Sequence, residues 1–167
     1  MSKVTSADGK ESEVDCIGCA LVNGDVDPVG EVVAETEGFM VQQDFEIPIP
    51  GFMILSSKEH LKGIEQFDEN QRKEFIDLLY RTRKAMNEVL DVEYVYIVQE
   101  EDTIDKPSSP SHFHLWLFPR YKWMERFGRG IKSVKPAMKY ARENMKDEEN
   151  LEEVKEIANK IKEHIKE

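Results

Sequence analysis

The stretch "SHFHLWLFPR", residues 111–120, decides how the chain is read. Successive side chains of a strand point to opposite faces, so His112, His114, Trp116 and Phe118 share one face while Phe113, Leu115 and Leu117 share the other. Two imidazoles then stand about 7 Å apart on one surface. A histidine pair aimed to one side suits metal ligation, or nucleophilic and acid–base chemistry. Just upstream, "EYVYIVQE" (93–100) reads as a strand, and "EDTIDKPSSP" (101–110) reads as the loop between the two by its Pro and Ser content.

Working outward, Phe75, Leu78, Leu79, Thr82, Met86, Val89 and Leu90 recur at three- and four-residue steps, which predicts a long helix with Asp68 as its N-cap. Before it, residues 32–36 and 39–43 are β-rich runs separated by Glu37-Gly38, a hairpin pattern. The prolines of "IPIPGFMILSS" mark an extended connection into a buried strand over 51–56. Strands, one long helix, then two strands predict an α+β domain with a mostly antiparallel sheet. The tail is helical. Leu151, Val154, Ile157, Ala158, Ile161 and Ile165 form one apolar stripe, of the kind that packs on its own domain or on a second subunit. The expected organisation is a flexible lead over 1–13, a domain over 14–130 and a C-terminal helical extension over 131–167.

The chain has 167 residues, 40% of them hydrophobic, enough for one core and short for two independent domains. No apolar run approaches the ~20 residues of a membrane span, and the polar start lacks the apolar stretch of a secretory signal, so a soluble, cytoplasmic protein without membrane contact is expected. A net charge of −11 argues against non-specific binding to nucleic acid, which rests on clustered Lys and Arg. The charge is uneven, however. From 120 to 139 run Arg120, Lys122, Arg126, Arg129, Lys132, Lys135 and Lys139 against the single acid Glu125. That segment is either a solvated helix face or a small patch facing an anionic substrate. The two cysteines form "CIGC" (16–19), a spacing that in a reducing compartment suggests metal binding or redox exchange before a structural disulfide.

"HFHLWLFPR" resembles the active-site strand of the histidine triad superfamily, His-x-His-x-His followed by apolar residues and often Pro-Arg. The upstream order is similar too: a Cys-x-x-Cys opening, then the strand, strand, Pro-Gly, strand and Lys-x-His run of "VVAETEGFMVQQDFEIPIPGFMILSSKEH", then a helix. The resemblance spans roughly residues 14 to 123, and it rests on the order and spacing of the motifs together. It implies nucleotide hydrolysis or nucleotidyl transfer, with His114 attacking an α-phosphorus to give a nucleotidyl-histidine intermediate. A dinucleoside polyphosphate such as diadenosine tetraphosphate is the natural candidate substrate, and a homodimer the expected assembly. The attacking ring needs its other nitrogen to donate a hydrogen bond that fixes the tautomer, and in the family the acceptor is the carbonyl of the first histidine, here His112.

The resemblance also implies a structural zinc ion held by Cys16, Cys19, His60 and His112, a closed tetrahedral set. Trp116 departs from the pattern by occupying the third histidine's place. An indole N–H can donate a hydrogen bond but cannot carry a proton to a leaving group. Two readings follow. Either Trp116 is a wall or stacking surface and His114 acts on a leaving group that departs unprotonated, or the site has kept only nucleotide binding or a zinc-stabilised interaction role. Candidate substrate contacts are Gln99, Ser109, Ser111, Trp116 and Arg120, Pro110 having altered the turn between the serines.

Overall fold

The helix capped by Asp68 forms as its spacing dictates. In the computed structural model, which describes residues 1–101 and 111–166, α2 runs Glu69–Val89. The Asp68 carboxylate accepts from the N–H of Gln71 at 2.8 Å and the Gln71 side chain accepts from the N–H of Asp68 at 2.9 Å, a reciprocal capping box. Leu78, Thr82, Ala85 and Met86 are its buried stripe.

Ahead of it lie β1 (Ser2–Thr5), β2 (Glu11–Val14), α1 (Ile17–Asn23), β3 (Val32–Glu35), β4 (Phe39–Gln43) and β5 (Met53–Ser57). After it come β6 (Tyr94–Gln99), β7 (His114–Arg120), α3 (Val134–Asn144) and α4 (Glu148–Ile165). Five strands form one antiparallel sheet in the order β3-β4-β5-β7-β6. The expected α+β class and the hairpin at Glu37-Gly38 are both present. The loop expected over 101–110 falls, from 102 onward, outside the described residues.

The alternation along β7 sorts the two faces of the sheet. Leu115 and Leu117 join Leu55, Leu78 and Met86 in the core under α2, and α4 adds Ala158, Ile161 and Ile165 to that same core. The terminal stripe therefore packs on its own domain. On the other face Phe118 meets Ile47, Ile49, Phe52 and Ile54, beneath Met124 and the buried Val134, Ala137 and Ala141. Segment 122–145 thus lies across the face that carries His114 and Trp116.

The amino-terminal lead is ordered where a mobile segment is expected. Residues 2–14 pair as a hairpin, Ser2 opposite Val14 and Thr5 opposite Glu11. Its turn bonds Ser6 N–H to the Lys10 carbonyl at 2.9 Å and uses the positive φ of Gly9 (89°). The N–H of buried Ala7 donates to the Phe45 carbonyl at 2.7 Å, tying the hairpin to the main body. Val4 and Val14 also pack against Ala20, Val26 and Phe45, but two scattered valines in a charged, polar run give sequence reasoning little periodicity to find.

Candidate active site and metal cluster

Residue 112 joins two clusters of functional groups. Its ring is buried and its Nε2–H donates to the Ser57 carbonyl at 2.7 Å, which leaves Nδ1 as a lone pair. That nitrogen lies 3.5 Å from Cys16 Sγ and 3.6 Å from Cys19 Sγ, and Cys19 Sγ lies 3.2 Å from His60 Nδ1. All four ligand atoms fall within 4.8 Å of one another. A tetrahedral ion about 2.3 Å from sulfur and about 2.0 Å from nitrogen separates its ligand atoms by roughly 3.3–3.8 Å. The three named contacts lie at or near that range and the whole set spreads no wider than 4.8 Å, so the residues fit a zinc ion after a small contraction.

Local structure explains how the ligands converge. Cys16 caps α1, its sulfur accepting from the N–H of Cys19 at 3.5 Å, so one helical turn presents both thiols together. Between them Gly18 is the only residue type that clears the histidine. A Cβ built there would stand 2.4 Å from His112 Cγ and 2.6 Å from its Nδ1. Burial holds the His112 imidazole below the usual histidine range, assisted by the neighbouring His60 and His114 and opposed by the Ser57 carbonyl. Burial and the adjacent Cys16 push the Cys19 thiol up.

The main chain of the same residue serves His114. The His114 Nδ1–H donates to the His112 carbonyl at 2.9 Å, so Nε2 carries the lone pair on an exposed ring. Ser56 is its neighbour across the sheet on β5. Trp116 follows on the same face, its ring centroid 6.4 Å from that of His114 and its edge against Phe52 at 6.0 Å. The site therefore offers an oriented, exposed imidazole beside an indole wall.

The remaining predicted contacts scatter. Ser111 is half-buried and its Oγ has no partner among the described residues, while Ser109 lies outside them. Gln99 pairs with Leu115, which puts it on the helix-covered face, opposite to His114. Arg120 stands six residues along β7 from His114, about 20 Å by strand rise, fully buried with its Nε donating to Glu93 at 3.1 Å. The structure does not bring Gln99 or Arg120 to His114. A groove of about 730 Å³ between the hairpin and α4, lined among others by Ser6, Lys10 and Asn159, holds none of the candidate site residues. Sequence reasoning missed Ser57, Ser56 and Gly18. A glycine between two cysteine ligands was the one available signal, since the Ser57 contact is a carbonyl that any residue supplies.

No protein-family model matches the chain, and no curated protein does. Solved structures do. A zinc-bound histidine triad family protein from Mycobacterium smegmatis superposes with a TM-score of 0.60 at 18% identity, over 90% of this chain and 95% of that one. A Hit-like protein involved in cell-cycle regulation from Bartonella henselae gives 0.62 at 16%, over 92% and 98%. A hypothetical histidine triad nucleotide-binding protein from Sulfolobus tokodaii gives 0.62 at 17%, over 90% and 92%. The chain has the histidine triad fold.

Proposed function

We propose that this chain is a histidine triad protein acting on nucleotides, with His114 as the nucleophile. The observation that carries the reading is the 2.9 Å bond from His114 Nδ1 to the His112 carbonyl, which aims a free Nε2 outward. In the proposed step the Nε2 lone pair bonds to the α-phosphorus and the bond from phosphorus to the leaving oxygen breaks. Water, or another acceptor, then displaces the imidazole and gives up its proton. Trp116 supplies no proton, so the substrates that fit best have leaving groups stable as anions, such as the polyphosphate of diadenosine tetraphosphate. The nucleotide-binding name of the Sulfolobus tokodaii neighbour supports the ligand class.

Cys16, Cys19, His60 and His112 would hold zinc as a closed structural site, contributing folding energy rather than a reacting water. Ser57, by fixing the tautomer of His112, orients that ligand. For assembly we propose a homodimer across β6. It is an edge strand whose Ile97 is 50% exposed, and α2 also exposes two large apolar side chains, Ile76 at 59% and Tyr80 at 66%. Among the described residues no helix is long and apolar enough to cross a membrane, and a cytoplasmic location goes with the paired free thiols.

The test is turnover of nucleoside phosphoramidates, mononucleotide sugars and dinucleoside polyphosphates by the native protein and His114→Ala at equal zinc content. Turnover lost in the variant, with a phosphohistidine adduct trapped on the native protein, supports the reading. Equal background rates refute it. Trp116 favours a second reading, nucleotide binding without turnover, and ligand-dependent thermal stabilisation at background rates would select it.

A further inference from the structure

Beyond the buried Arg120, the basic run to residue 139 is exposed and has no part in the contacts of His114 or of the cysteine–histidine cluster. Residues 122–127 form a 3₁₀ turn, and α3 begins at Val134. Trp123, Phe127 and Tyr140 are half-buried, with ring centroids 5.5 Å (Trp123 to Tyr140), 5.8 Å (Phe127 to Tyr140) and 6.3 Å (Trp123 to Phe127) apart. The exposed Arg126 guanidinium stacks over this trio, 4.3 Å from the Tyr140 centroid. Lys122, Arg129, Lys132, Lys135 and Lys139 are exposed along the same segment. Of these cations only Lys139 has a described carboxylate within ion-pair distance, Glu143 at 4.0 Å.

A concentration of unneutralised cations in a chain of net charge −11 is a placement that local acids do not explain. The aromatic rings narrow the chemistry. An acidic protein or a simple anion would use the charges alone, whereas half-exposed rings beside an arginine plane are what successive nucleobases stack on while their phosphates meet the surrounding cations. We infer that residues 122–140 form a binding surface for single-stranded nucleic acid, independent of any chemistry at His114. The acidic remainder of the molecule confines contact to this patch and disfavours the higher charge density of a duplex.

The experiment measures anisotropy of a fluorescent 15-nucleotide oligothymidylate, its duplex with oligoadenylate, and polyglutamate, from 50 to 200 mM salt, using the full chain. A second readout is emission of Trp123 in a Trp116→Phe background, where it is the remaining tryptophan. The expected result is saturable binding of the single strand, quenching of Trp123, and weaker binding of the duplex. The variant Arg129→Glu/Lys132→Glu/Lys135→Glu, all exposed positions, should bind at least about tenfold more weakly and lower the salt slope by about 2, at roughly 0.7 per lost contact. The inference is overturned by absence of saturable single-strand binding at 50 mM salt, by a folded triple variant that binds unchanged, or by polyglutamate binding equally well without quenching.

Discussion

Replacing Gly18 by alanine tests whether the metal cluster depends on close approach of α1 to His112. Gly18 lies in a helix, where alanine alone would gain about 1 kcal/mol. The added methyl, however, would fall 2.4 Å, 2.6 Å and 2.8 Å from three ring atoms of His112. The ring has little room to yield, being 7% exposed and held by Ser57 at 2.7 Å. Relief requires α1 to withdraw by about 1 Å, and Cys16 and Cys19 move with it. Overpacking of this size costs roughly 1–3 kcal/mol, and a displaced ligand set lowers metal affinity about 10- to 100-fold. For a chain of this length a net loss near 2 kcal/mol lowers Tm by about 4–8 °C. Calorimetry of the zinc-loaded protein, with competition against a chromogenic chelator, measures both effects. A Gly18→Ala protein with native Tm and native zinc affinity would refute the reasoning, because the helix gain would then have met no opposing contact.

Asp44 lies at the start of the turn after β4, its carboxylate accepting from the N–H groups of Glu46 and Ile47 at 2.9 and 2.7 Å. Burial outweighs those bonds and pushes the Asp44 carboxyl up from 3.8 to about 6. The folded state therefore keeps the proton that the unfolded chain releases, and stability falls as pH rises from about 4 to about 6. Asp44→Asn keeps an acceptor and removes the titration, so it should gain on the native protein by up to about 3 kcal/mol across that window. Parallel denaturation profiles for the two would contradict this. Asp68→Ala removes one half of the capping box and should cost about 0.5–2 kcal/mol in urea unfolding, and an unchanged midpoint would deny the cap its role. Glu93→Ala leaves buried Arg120 without its carboxylate, so it should lower stability while any turnover at His114, a strand's length away, stays native. A selective loss of turnover would instead assign Arg120 to the site.

What was legible in the sequence was whatever local periodicity enforces. The step pattern from Phe75 to Leu90 fixes a helix because its buried face must repeat every turn, and the alternation of His114, Trp116 and Phe118 against Leu115 and Leu117 fixes the two faces of β7. The convergence of Cys16, Cys19, His60 and His112 was legible only through resemblance, since three separate segments meet there and no local rule brings them together. Gln99 and Arg120 show the opposite case. Their proximity in sequence to functional residues suggested a shared site, but strand register turns Gln99 to the other face and carries Arg120 to the far end. Ser57 contributes through its main chain, where side-chain identity leaves no trace.

That last feature has a parallel at residue 112, whose ring serves the cysteines and whose carbonyl serves His114. The first duty belongs to a side chain and can be lost in a single codon. The second belongs to the peptide group and is written identically by all twenty amino acids. A lineage could change the cysteine–histidine cluster at position 112 and still inherit the hydrogen bond that orients His114, whereas one that discards His114 keeps the cluster with nothing left to orient. Ligation and orientation can thus drift apart over evolutionary time even though they meet in one residue.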